Sequence, residues 1–269
     1  MRNWQITIGG LIVAILVLLA LFAPWIVPYD PAKQDLRNYL LPPFSPGHLL
    51  GTDDLGRDML SRLIMGTRVS LFTGFVTAAI AIAIGVPLGL IAGYFGGRTD
   101  MALGRLFDTV LGIPSILMAL GLTAVFGPSL VVIVAALGLV WWANYARIVR
   151  SEALKLRHAE FVEAARASGC GNGRLILRYL LPNVMPIVLA LVSLTVASGI
   201  LVEASLSFLG VGVRPPTPTW GGMLSVGRNF VRTAWWMATL PGLAIVITVL
   251  SLNLLGDGLR DNSDPKLRG

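Results

Sequence analysis

Few side chains in this 269-residue chain could perform covalent chemistry, and their spacing argues against it. Cys170 is the only cysteine, which leaves no internal disulfide and no cysteine metal cluster. The two histidines, His48 and His158, lie far apart in the chain, so metal binding by this chain alone is not expected. The run from Gly51 to Asp58, GTDDLGRD, carries enough carboxylates to suggest a calcium loop. It lacks the ligand spacing and the closing glutamate of an EF-hand. The stretch Gly169-Cys170-Gly171-Asn172-Gly173-Arg174 is glycine-rich, but it has neither the Lys-Ser/Thr end nor the preceding strand of a phosphate loop. It reads as a hinge. Neither an HExxH helix nor a GxSxG elbow occurs. Asp108, Glu203 and scattered serines do not make a catalytic set, so an enzyme is not expected.

The elements that carry these residues follow from composition. Hydrophobic residues make up 55% of the chain and charged ones only 13%, where a soluble domain has about 25% charged. Mean hydropathy is +0.76. The net charge of +7 sits mostly in short segments between apolar runs. Membrane topology and anionic lipid headgroups account for it better than nucleic acid does.

Six apolar runs read as spans, residues 6–27, 69–95, 106–126, 130–145, 184–209 and 237–255, and the first is long enough to cross a hydrocarbon core of about 30 Å. The first reads as an uncleaved span, because Pro24-Trp25-Ile26-Val27-Pro28-Tyr29 follows it rather than a small-residue cleavage site. Six spans place both termini inside, and the basic residues Arg2, Lys266 and Arg268 agree. Residues 1–65 form a first unit of one span plus an outer segment. Residues 66–269 form the core. In the outer segment Thr52 or Asp53 is expected to cap an amphipathic helix with Leu55, Met59 and Leu63 on one face and Arg57, Asp58 and Arg62 elsewhere. Residues 96–105 read as a short turn, and Pro114 should kink the third span. Asp108 should lie at the interface, paired with Arg105 or Arg98. Glu203 either lies near an outer helix end, exposed or paired with Arg214, or faces a water-filled path, since a carboxylate within a span is costly.

The longest polar break, residues 160–183, reads as two short helices with a hinge. The first, about 159–168, stops at Gly169. Asn172 caps the second, which runs to Leu181 before Pro182. Phe161, Ala165 and Ser168 share one small, weakly apolar face, suited to docking.

Glu163-Ala164-Ala165, Gly169 and Leu181-Pro182 resemble the EAA loop of the membrane subunits of binding-protein-dependent ABC importers. Tyr179 is a mild departure, where many relatives have Ile or His. Three further strings resemble the dipeptide, oligopeptide and nickel permease branch. They are Leu50-Gly51-Thr52-Asp53 through Gly56-Arg57-Asp58 to Ser61-Arg62, then Glu203 to Gly210 with Arg214 to Gly221, and the tail from Asn253 through Asp264-Pro265-Lys266. The resemblance implies an all-α membrane protein with the type I ABC importer permease fold, in a bacterial inner membrane with both termini cytoplasmic. It implies a coupling helix made by Glu160, Phe161, Glu163, Ala164, Ala165, Ser168 and Gly169. It also implies an outer gate or path to which Glu203, Ser207, Phe208 and Trp220 belong, with Glu203 able to meet a cationic group on cargo. The implied partners are a homologous permease, two cytoplasmic ATPases that bind the ATP and magnesium, and an extracytoplasmic substrate-binding protein. Di- or oligopeptides are the expected cargo and nickel the alternative. A channel or membrane scaffold without an ATPase is the rival of a different class.

Overall fold

The computed structural model describes residues 4–263. Its helices are α1 (Trp4–Ile26), α2 (Met59–Phe95), α3 (Gly97–Leu111), α4 (Ser115–Phe126), α5 (Leu130–Leu156), α6 (Glu160–Ala167), α7 (Asn172–Arg174), α8 (Leu181–Phe208), α9 (Trp220–Gly227) and α10 (Trp236–Ser263). Among the described residues only two isolated bridges have β pairing. Five helices are long and apolar enough to cross a membrane, and α3 with α4 makes a sixth crossing if the pair, bent by 72°, counts as one.

The directions of these helices follow from where their glycines sit. Along the α2–α5 contact, Gly85 abuts Trp142 and Tyr145, Gly89 abuts Ala146 and Val149, and Gly93 abuts Ala153. The two helices therefore run the same way, and α3–α4 must return the chain between them. A Cβ on Gly89 would lie 2.6 Å from the Ala146 carbonyl oxygen, so this approach needs glycine. Gly9 faces Ser251 and Leu255 while Gly258 faces Ile6, which makes α1 and α10 antiparallel. Trp4 and the last turns of α10 consequently lie at one end of the bundle, the end that carries α6. The core between α2, α5 and α8 contains Trp142, Tyr145, Val149, Leu180 and Val184, with Phe107 set edge-on to Trp142. A second cluster joins α1, α2, α8 and α10 around Leu71, Val196, Ile200 and Leu252.

Several sequence expectations are corrected. No helix starts at Thr52 or Asp53. The Thr52 hydroxyl accepts from Leu41 N at 2.8 Å, and Asp53 Oδ1 accepts from Leu55 N and Arg57 N at 2.9 Å each, which curls this stretch into a turn. Gly56 has φ +68°, outside helical space, so Leu55 never joins a helical face. Asp58 is the cap instead: its Oδ2 accepts from Ser61 N at 2.7 Å, and α2 then runs 37 residues without a break through residue 65. Residues 97–105, expected as a turn, are helix continuous with 106–111, and the kink expected at Pro114 is a break at Gly112–Pro114. At the other polar loop, Asn172 is the first residue of its helix, with Gly171 at the cap position. The helix does not stop before Pro182. A π-helical stretch, Leu175–Leu180, merges α7 into α8, with Leu181 N bonding to Ile176 O, so the proline's missing donor falls within widened hydrogen bonding. The expectations on Arg2, Lys266, Arg268 and the end of the tail motif lie outside the described residues.

Candidate functional site

The polar loop presents α6 as a small platform at one end of the bundle. Val162 is fully buried and Ala165 nearly so, packed with Leu175, Leu180 and Val184. Glu160 and Glu163 occupy the first turn, where the helix dipole favours acids. The helix ends in a Schellman motif: Cys170 N bonds to Ala165 O at 3.1 Å and Gly169 N to Arg166 O at 3.0 Å. Gly169 adopts φ +83°, a conformation that only glycine reaches without strain, and none of the described residues lies within 4 Å of its missing Cβ.

The expected docking face shifts by one residue. Phe161, Ala164 and Ser168 are exposed together, while Ala165 turns into the core. Glu160, Glu163 and Gly169 remain exposed. Phe161 is thus an uncovered aromatic on a polar helix.

Ion pairs and hydrogen bonds tie the helices behind α6 to one another. Arg150 holds Asp100 with two bonds, one at 2.8 Å from Nη2, and Arg147 holds Asp108 at 2.6 Å. Asp108 therefore pairs across to α5 and not with Arg105 or Arg98 on its own helix, because its turn of α3 packs along α5. The Arg166 guanidinium lies 5.8 Å from the Tyr94 ring centre, and Tyr94 Oη donates to Asn172 Oδ1 at 2.7 Å. Tyr94 is the last-but-one residue of α2, so it connects that helix to both halves of the loop.

At the opposite end, the sequence-predicted gate residues lie near one another but differ in exposure. Glu203 is fully buried. Its Oε1 accepts from Ser207 Oγ at 2.8 Å, while Oε2 has no hydrogen-bond partner. It is thus neither exposed nor ion-paired with Arg214. Trp220 is also buried; its Nε1 donates to Leu63 O at 3.1 Å, fastening α9 to α2. A Cβ on Gly221 would meet Ala204, so α9 presses closely on α8 just beside Glu203. Phe208 alone is exposed, with the Arg228 guanidinium 4.5 Å from its ring centre.

The polar signature before α2 forms a buried network that sequence spacing did not reveal. Arg57 and Arg62 are buried, against the expectation of an exposed polar face. Both contact Asp53 Oδ2, at 2.7 Å and 3.3 Å, and His48 Nδ1 lies 2.9 Å from Asp58 Oδ1. Arg62 Nη1 reaches Pro31 O at 3.0 Å, and Trp236 Nε1 donates to Thr52 O at 3.0 Å, so the network links the outer segment to α2 and α10. Burial, then the neighbouring Asp53, pushes the Asp54 carboxyl above its ordinary pKa. The density of polar residues in this string was the available signal. Their mutual pairing was not readable from spacing.

The fold defines a class: it is that of the membrane subunits of ABC transporters. It aligns with the inward-facing MetNI methionine ABC transporter at a TM-score of 0.62 and 18% identity, covering 77% of this chain and 98% of that one. An amino acid ABC transporter aligns at 0.57 and 15% identity, over 76% of this chain and 94% of that one. The family model for the binding-protein-dependent transport system inner membrane component matches residues 85–269, and the model for the N-terminal TM domain of oligopeptide transport permease C matches residues 1–43. The dipeptide transport system permease protein DppC of Escherichia coli is 46% identical over 99% of this chain and 91% of that protein. The di/tripeptide transport system permease protein DppC of Pseudomonas aeruginosa is 44% identical over 97% of this chain and 88% of that protein. The chain belongs to the family of binding-protein-dependent transport system inner membrane components.

Proposed function

We propose that this chain is the permease subunit of an ATP-driven peptide importer, with di- or short oligopeptides as cargo. The relatives described above carry peptide names along almost the whole chain, and nothing in them favours nickel. The observation that carries the mechanism is the construction of α6: its buried Val162 and Ala165 pack against the π-helical stretch 175–180 that runs into α8, in one buried cluster with residues of α2 and α5, while Phe161, Ala164, Ser168 and Gly169 stand free. A displacement of α6 is passed to α8 through that stretch, because interiors are close-packed and do not absorb strain smoothly. In this reading α6 docks on a cytoplasmic ATPase, and both ends of the described chain lie on the cytoplasmic side. A second, homologous permease completes the path, two ATPase subunits hold ATP and magnesium, and a soluble binding protein delivers cargo to the α9 end. Glu203, Ser207, Phe208 and Trp220 belong to the outer gate, where buried Glu203 and Trp220 hold the closed packing of α9. Nucleotide binding favours one of two packings of the spans, and hydrolysis releases it.

The test is affinity purification of the chain from its native membrane in mild detergent, followed by mass spectrometry and an ATPase assay. Co-purification of an ATPase and a second permease with the wild type, and loss of the ATPase with Gly169→Asp, supports the reading. A folded chain that brings neither partner in several detergents defeats it and favours a channel or scaffold.

A further inference from the structure

At the α9 end a cavity of about 200 Å³ opens between the start of α2, the loop after α8, and α9. Three guanidinium-bearing residues line it: Arg57, Arg62 and Arg214. Ser207, Thr217 and Thr219 add hydroxyls, and no carboxylate is among its lining residues. Arg57 and Arg62 have side chains only 7% and 9% exposed. Both are held by Asp53, Arg62 through its Nε at 3.3 Å, and Arg62 Nη1 donates to Pro31 O. Arg214 is exposed, and none of the ion pairs among the described residues includes it. Three arginines therefore line one small space, and the acids that pair with two of them, Asp53 and Asp54, are not among its lining residues.

We propose that this cavity is a carboxylate site that receives the free C-terminal carboxylate of the peptide cargo as it enters the outer end of the path. The inference rests on the peptide-importer reading. Its chemistry is direct. A planar guanidinium offers paired donors that match a carboxylate, and such charge-assisted bonds are the strong ones. Burial of Arg57 and Arg62 keeps water from competing, while Arg214 at the rim can close over the bound group. The volume suits one end of a peptide and is below the range of about 300–1,000 Å³ typical of sites that enclose a whole drug-sized ligand. Ser207 contributes a second constraint: its hydroxyl donates to Glu203, so occupancy of the cavity is felt at the buried carboxylate between α8 and α9.

The experiment uses the complete transporter purified without its binding protein. Dialanine and alanyl-alaninamide are titrated by ligand-observed NMR against wild type, Arg214→Gln, Arg214→Lys and Thr217→Val. Wild type is expected to bind the free acid more tightly than the amide. Arg214→Gln should weaken the acid by about tenfold and leave the amide unchanged, and Arg214→Lys should keep most of the affinity. Equal binding of acid and amide by wild type overturns the proposal, and so does unchanged acid binding by Arg214→Gln. If that variant instead loses only docking of the binding protein, the cavity receives an acidic side chain of that protein and the cargo assignment falls. Wild-type complex that binds dialanine but never transports it when reconstituted with its binding protein, ATP and magnesium refutes the importer reading and leaves the site standing.

Discussion

At the residue scale, Gly169 and Glu203 show how the same feature, a single special residue in a helical membrane protein, can act for different physical reasons. Gly169 acts through its backbone. At φ +83° a residue such as Ala adds roughly 1–2 kcal/mol of strain, and none of the described residues would touch the new side chain. Gly169→Ala is therefore expected to reduce coupled uptake several-fold without lowering expression, and Gly169→Asp to reduce it much further by placing charge on the face proposed to dock. ATPase activity and uptake of the reconstituted complex measure both. Glu203 acts through burial. Its carboxylate is enclosed beside Ser207, and α9 presses on α8 at Ala204. Glu203→Gln is expected to slow uptake of cationic and neutral peptides equally, as a gate residue would; a selective loss of cationic cargo would instead place the carboxylate in contact with the peptide.

At the element scale, α3 is fastened to α5 by two ion pairs of unequal worth. Asp100 and Arg150 are half-buried and bidentate, whereas Asp108 and Arg147 are largely exposed. Exposed pairs contribute about 0–1 kcal/mol, and a sheltered, forked pair stands at or above the top of that range. A double-mutant cycle on thermal unfolding in detergent should give a coupling near 1 kcal/mol for Asp100–Arg150 and one within error of zero for Asp108–Arg147. The α2–α5 contact makes a sharper prediction. Gly89→Leu forces a side chain into the Ala146 backbone and the Val149 side chain. Overpacking of this kind costs about 1–3 kcal/mol or more, so the yield of monodisperse protein should drop, whereas substitution at the unobstructed Gly121 should have little effect.

At the scale of the whole molecule, the 30–58 segment is joined to the helix bundle through charges. Asp53 holds both Arg57 and Arg62, and Arg62 reaches back to the chain just after α1. Removing the acid leaves buried Arg62 without its carboxylate and Arg57 with only Asp54, 3.7 Å away; loss of one partner of a buried pair typically costs roughly 3–5 kcal/mol. Asp53→Asn is accordingly expected to lower the unfolding temperature by several degrees and to expose the 30–58 segment to protease, while Asp30→Asn, whose carboxylate makes an exposed turn bond, should do neither. Survival of the wild-type melting profile in Asp53→Asn would show that apolar packing alone holds this segment.

The sequence by itself determined the apolar spans, the platform loop and the glycine at its end, because these rest on local chemistry: the length of a hydrocarbon-soluble run, the break at a polar stretch, and the one residue that tolerates positive φ. It also marked the polar signature before α2 as unusual. Only the tertiary structure decided which partners those charges take. Asp108 meets Arg147 and not its neighbours because α3 lies along α5. Ala165 turns inward while Ala164 faces out because α6 rests on Leu175 and Val184. The helix runs on through Pro182 because a π-helical turn accommodates the missing donor. Arg57 and Arg62 are buried because Asp53 folds back to meet them. Each of these outcomes depends on residues distant in sequence or on the backbone that a neighbouring element imposes, and neither is written in the spacing of side chains along one helix.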